Sequence, residues 1–267
     1  TAHEEPEAYL CHCHAITSLF FLLYEKSIYK LSRQILVHTS RHQQTLRERY
    51  HLGDDKIKVI PHGVGKDEPN SFQLEKVKEK YDIEGKDVVF FFGFLRPNKG
   101  IKCLISSFSK VIKKRKNLIL LIVGSTIRMW SKYPVELKRL VKRLNIDNYV
   151  KFTGFVPDDE VPALFMISKV IVMPYLRSTQ SGVLHQAVSY ATPVIVSDVG
   201  GIGNFVKENN VGLVVPPKDV ESLTEAILHL LGNERKQEIF RENELKLRRT
   251  LSWENVARLH MEIYESI

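Results

Sequence analysis

Residues 173 to 201 read MPYLRSTQSGVLHQAVSYATPVIVSDVGG. The stretch runs from the end of an apolar strand through a small polar turn, a short helix with an apolar face and a second apolar strand to a pair of glycines. A strand that feeds a helix through Ser178, Thr179, Gln180, Ser181 and Gly182 leaves the first amides of that helix unpaired and facing a crevice. The helix dipole favours an anion at that point, so the turn has the design of a phosphate site.

Working outward from this turn, the neighbouring sequence repeats the same strand and helix alternation. An apolar strand at 88 to 92 precedes a helix whose Ile101, Leu104, Ile105, Phe108, Val111 and Ile112 follow the spacing of one buried face. A strand at 118 to 123 leads to a helix opened by Pro134. Strands at 150 to 153 and 170 to 173 flank a helix near 159 to 165. Beyond the opening stretch come a short strand at 212 to 215 and a helix from 220 to 231.

Continuous runs of Val, Ile, Leu and Phe are expected of parallel strands covered on both faces. Residues 80 to 235 therefore read as an α/β, Rossmann-like doubly wound parallel sheet with right-handed crossovers. Such sheets bind ligands outside the carboxyl ends of their strands. Gly93, Gly124, Gly154, the turn Ser178 to Gly182, and the run 198 to 201 all fall on that edge.

Residues 1 to 64 do not repeat the pattern. A helix over 9 to 32, a strand at 35 to 38, a helix with Ser40 as N-cap and a strand at 56 to 60 cannot close a core of their own. They read as the tail of a domain. Residues 65 to 80, charged and holding Pro69, Asn70 and Ser71, read as a linker, and 81 to 250 as the sheet domain. The last segment, 251 to 267, is expected to be a helix packing back toward the amino-terminal part.

Composition bounds the function. With 267 residues and 43% apolar content the chain can bury a real core. Its apolar runs fall well short of the roughly 20 residues of a spanning helix, and its start lacks the features of a signal peptide. Three cysteines at uneven spacing argue for a reducing compartment, so a cytoplasmic location is expected. A net charge of +8 suits anionic ligands or the inner face of a membrane. The run Lys113 to Lys116 reads as a solvated helix terminus, not a nucleic-acid patch.

Several stretches together carry a resemblance: FFGFLRPNKG at 91 to 100, LLIVG at 120 to 124, FTGFVPDDEVPALFMISKVIVMPY at 152 to 175, QSGVLHQAVSYATPVIVSDVGGIGNFV at 180 to 206, and GLVVPPKDVESLTEAI at 212 to 227. In order and spacing they resemble the carboxyl-terminal, donor-binding domain of the retaining glycosyltransferases of family 4, which have the two-domain GT-B fold. KLSRQILVHTSRHQQTL at 30 to 46 and VIPHGV at 59 to 64 resemble the segment that closes the amino-terminal acceptor domain of those enzymes.

The resemblance implies transfer of a sugar, with retention, from a UDP- or GDP-sugar to a glycan, lipid or small-molecule acceptor, without cofactor or metal. Lys99 matches the lysine that meets the donor diphosphate. Many relatives have an arginine directly after the first glycine; here Phe94 stands there, and Arg96 is the second cation proposed for the chemistry. Gln180, Ser181, Gly182 and Val183 match the phosphate-cradling turn, Phe155 and Val156 the loop flanking the base, and Gly93 and Thr179 are further candidates for donor binding. Where the commoner members carry two glutamates, this chain has Ser178 and Gln186. Gln186 can still bond a ribose hydroxyl, more weakly than a carboxylate would.

Cys11, His12, Cys13 and His14 bring together zinc-type ligands, but no second cluster with finger-like spacing follows, and no metal site is expected. A Rossmann dehydrogenase would place its glycine fingerprint after the first strand, and FGFLRPNKG lacks it. Two functions follow: a glycosyltransferase donor half, or a non-catalytic module that binds a nucleotide sugar.

Overall fold

The computed structural model describes residues 24 to 65, 68 to 178 and 180 to 266. Thr179 and the Cys11 to His14 cluster lie outside the described residues. The chain divides into two compact units, one made of residues up to Gly63 together with Leu251–Ile267, the other of Val64–Thr250.

In the smaller unit, β1 (Ile35–Val37) pairs in parallel with β2 (Ile57–Val59). Helix α1 (Ser40–Tyr50) packs on them through Leu46 and Tyr50, closing a small cluster with Ile35, Val37 and Ile57. The N-cap is Thr39, whose hydroxyl accepts from the His42 amide, one residue earlier than the sequence suggests. The carboxyl-terminal helix of the chain (Trp253–Glu265), capped by Ser252, belongs to this unit. Its Trp253 ring lies so near Gly63 that a Cβ there would meet it at 2.4 Å.

The larger unit holds six parallel strands: β3 (Asp87–Phe92), β4 (Leu118–Val123), β5 (Val150–Gly154), β6 (Ser168–Met173), β7 (Val194–Ser197) and β8 (Gly212–Val215). Their order is β5-β4-β3-β6-β7-β8, a doubly wound sheet whose direction of growth reverses between β3 and β6. All six residues of β4 are buried, as its unbroken apolar sequence requires of a strand covered on both faces. β3 pairs with β4 along its whole length, from Asp87 with Leu118 to Phe92 with Val123.

Helices cover both faces: α2 (Ser71–Lys80), α3 (Ile101–Lys114), α4 (Tyr133–Arg143), α5 (Val161–Ile167), α6 (Gly182–Ser189), α7 (Gly200–Asn209), α8 (Val220–Leu231) and α9 (Glu234–Thr250). The apolar face expected of α3 is the buried one, from Ile101 to Ile112. A buried hydroxyl pair, Ser107 with Thr224 at 3.0 Å, joins α3 to α8.

Three elements differ from the sequence reading. The stretch read as linker is helical over α2, because Asn70 and Gln73 form a reciprocal capping box and Val77 is buried. Helix α7 begins Gly-Gly, a poor helix start by propensity. It forms nonetheless, and it packs close to Asp198, whose Oδ1 and Cα would lie 2.4 and 3.1 Å from a Cβ at Gly203. Helix α9 buries Gln237, Phe240 and Glu244, a correctly spaced stripe in which two of three members are polar, so no apolar periodicity marks it.

Candidate functional site

The reversal between β3 and β6 opens a crevice at the carboxyl ends of these strands, flanked by the loops that follow them. After β3 the chain passes Gly93, at φ 130°, then Phe94, Leu95 and Arg96, into a single turn over Pro97–Lys99 that ends at Gly100, at φ 67°. After β6 it passes Pro174, Tyr175 and Leu176 toward the turn before α6. The two loops are tied: the Leu176 amide donates to the Asn98 carbonyl at 2.8 Å.

The glycine ends of the neighbouring strands have a packing role. Gly124 donates its amide to the Gly154 carbonyl at 2.9 Å. A Cβ on Gly124 would come within 2.0 Å of the Gly93 carbonyl oxygen. Bare backbone is thus required at Gly124, while Gly93 and Gly154 favour glycine by their positive φ of 130° and 73°.

Lys99 is half-buried, and its ammonium lies 3.6 Å from the centroid of the Tyr175 ring. Burial, with the Arg96 charge adding to it, lowers the ammonium pKa to about 8. Arg96 is also half-buried; its Nε is buried and makes no hydrogen bond, and the guanidinium lies 5.8 Å from the Phe94 ring. Two cations are therefore held in one loop and partly desolvated, a state that an arriving polyanion relieves.

Helix α6 supplies the opposite wall. Its N-cap Ser181 is extended, and among the described residues no side chain caps the helix. The Ser181 hydroxyl turns instead to the Met173 sulfur at 3.8 Å, while its carbonyl accepts from His185 Nδ1 at 3.0 Å. The first amides of α6 are left for another partner. Ser178 Oγ donates to the Gln180 carbonyl at 2.9 Å, which folds the turn back on itself. Gly182 is exposed, and Val183 and Gln186 are half-buried.

The loop after β5 divides the residues expected to flank a base. Phe155 is 74% exposed, whereas Val156 is 4% exposed and joins the core, so its side chain is not part of the crevice wall. Tyr175 was not singled out by sequence. The available signal was an aromatic residue one position past a strand-ending proline, on the loop facing Lys99. Burial pushes its hydroxyl up to about 12, with Ser181 and Arg96 pulling the other way.

Among the described residues no group of three or more His, Cys, Asp or Glu side chains could hold a metal ion. No helix among them is long and apolar enough to cross a membrane. A shallow cavity of about 300 Å³ lies at the opposite edge of the sheet, lined by Lys78, Ile83, Asp87 and Ile167 among others. It sits at the amino end of β3, where doubly wound sheets do not place their ligands.

Residues 73–247 match the family model described as glycosyl transferases group 1. The chain is 29% identical over 226 residues to an uncharacterized glycosyltransferase of Methanocaldococcus jannaschii, spanning 81% of this chain and 55% of that protein. It is 27% identical over 185 residues to a GDP-mannose-dependent alpha-(1-6)-phosphatidylinositol monomannoside mannosyltransferase of Mycobacterium tuberculosis, 66% of this chain and 46% of that one. The chain thus spans about half the length of these curated relatives. Among solved structures, HepE of Anabaena in complex with UDP superposes with a TM-score of 0.84 at 19% identity, covering 95% of this chain and 69% of that one, a likeness of fold.

Proposed function

This chain belongs to the glycosyl transferases group 1 family, and we propose that its larger unit is the donor half of a glycosyltransferase, holding a nucleotide-sugar by its diphosphate. One observation carries this reading: at the reversal point of the sheet a partly desolvated Lys99 stands on a loop tied, by the Leu176 to Asn98 hydrogen bond, to the segment that leads into the start of α6.

In this reading the α6 amides and the Lys99 ammonium bind the phosphate oxygens, and Arg96 adds a second positive charge. As the bond from sugar to phosphate breaks, negative charge grows on the diphosphate, and fixed cations in a dry crevice stabilise it more than water does. Phe155 offers a face to the base, and Gln186 a neutral partner to the ribose. The sugar leaves with retention to an acceptor, a glycan, lipid or small molecule, held outside this unit. HepE binds UDP and the mycobacterial relative is named for GDP-mannose, so both bases are carried forward as donor choices. Expected surroundings are the cytoplasm or the inner face of a membrane.

A second reading, a nucleotide-sugar-binding module without turnover, is favoured by Ser178 and Gln186. Neither supplies the carboxylate that would oppose the positive charge developing on a transferred sugar. Thermal-shift titration with UDP, GDP and ADP, repeated with Lys99→Ala, tests the shared claim. The expected result is stabilisation by a uridine or guanosine diphosphate, weakened in the variant. Stabilisation by none of the three would remove the donor site from both readings.

A further inference from the structure

Tyr175 stands where the lysine loop and the strand leading to α6 meet. Its ring is completely buried, and its neighbours fix the spacing between the two loops through the Leu176 to Asn98 hydrogen bond and the Gly100 to Pro174 contact. The Lys99 ammonium approaches the ring to 3.6 Å of its centroid, well within the reach of about 6 Å over which a ring face attracts a cation. The Lys99 amide donates to the Arg96 carbonyl at 3.0 Å, but its ammonium has no ion-pair or hydrogen-bond partner among the described residues. A lysine stem with four rotatable bonds would otherwise sample many positions.

We propose that Tyr175 is a positioning residue: its buried ring face holds the Lys99 ammonium in place at the mouth of α6, so that an incoming diphosphate meets a cation already ordered. The inference rests on the donor-site reading. Binding then costs less ordering of the lysine, and the ring, not the phenol hydroxyl, is the required part. Tyr175 touches no reacting atom in this scheme and acts only through Lys99.

The test uses the whole chain, with UDP and uridine as calorimetric probes and carbon-13 lysine labelling for NMR. In the native chain the Lys99 ε-methylene signal, assigned by its loss in Lys99→Met, should be shifted upfield by the ring. Tyr175→Phe should keep that shift and bind UDP within about twofold of native. Tyr175→Leu should lose the shift and bind UDP about tenfold more weakly with uridine unaffected. In a Lys99→Met background Tyr175→Leu should add nothing. A folded Tyr175→Leu that binds UDP as the native chain does would overturn the proposal, as would a Tyr175→Phe as weak as Tyr175→Leu. If the native chain binds no nucleotide, the donor-site reading fails separately. The native methylene signal still decides the positioning role, even where Tyr175→Leu does not fold: an unshifted resonance refutes it.

Discussion

Gly100 lies so close to Pro174 that a Cβ built on it would stand 1.8 Å from the Pro174 carbonyl oxygen. The neighbour is backbone and Gly100 is at φ 67°, so neither side can give way cheaply. Gly100→Ala should therefore lower stability by more than about 2 kcal/mol in urea unfolding. Nucleotide binding should fall with it, because the substitution separates the two loops of the crevice. An alanine variant with native stability would show that the loops are not packed as described.

Lys99 sets a pH dependence on ligand binding. With its pKa lowered to about 8, the ammonium is charged below that pH and loses its proton above it. UDP affinity should decline as pH rises through about 8, and the decline should vanish in Lys99→Met. The same lowering makes the unfolded chain bind the proton more tightly than the folded one, so at neutral pH Lys99 destabilises the empty protein. Lys99→Met should then melt at a higher temperature than native without ligand, while binding less. Calorimetry across pH and a melting curve at pH 7 check the two signs.

Glu244 is completely buried on α9, and neither carboxylate oxygen has a hydrogen-bond partner among the described residues. Burial pushes its pKa well above the usual range, against the Arg241 charge that lowers it. The folded state holds this proton more tightly than the unfolded one, so the chain loses stability as pH rises above the ordinary carboxylate range. Glu244→Leu should raise the melting temperature at neutral pH and flatten its fall between acid and neutral pH. A lower melting temperature in the leucine variant at neutral pH would mean that the carboxyl is satisfied after all.

Phe155, like Phe94, is an exposed aromatic of the crevice rim. At 74% exposure its removal should leave stability within about 0.5 kcal/mol of native. If its ring stacks on a base, Phe155→Ala should weaken UDP binding by about tenfold and leave inorganic diphosphate binding unchanged. Equal losses for both ligands would move Phe155 away from the base.

The sheet was legible because its strands are unbroken apolar runs and α3 keeps a strict buried face. The strand ends were legible because Gly93, Gly124 and Gly154, at φ 130°, 137° and 73°, carry their conformational requirement in their residue type. What escaped were features set by contacts across the fold. Helix α9 hides its buried stripe in Gln237 and Glu244, and α7 opens on glycines that propensity counts against a helix. Residues Phe155 and Val156 are adjacent and both apolar, and only packing sends one to solvent and the other to the core. Tyr175 reads as an ordinary core aromatic until the loop carrying Lys99 is laid across it.

The most direct measurement is a calorimetric series with uridine, UMP and UDP, and with guanosine, GMP and GDP, on the native chain and on Lys99→Met. A diphosphate cradle predicts affinity that climbs with each phosphate in the native chain, and a climb from mono- to diphosphate that largely disappears without the lysine. Equal affinity along each series, or an unchanged series in Lys99→Met, would contradict it.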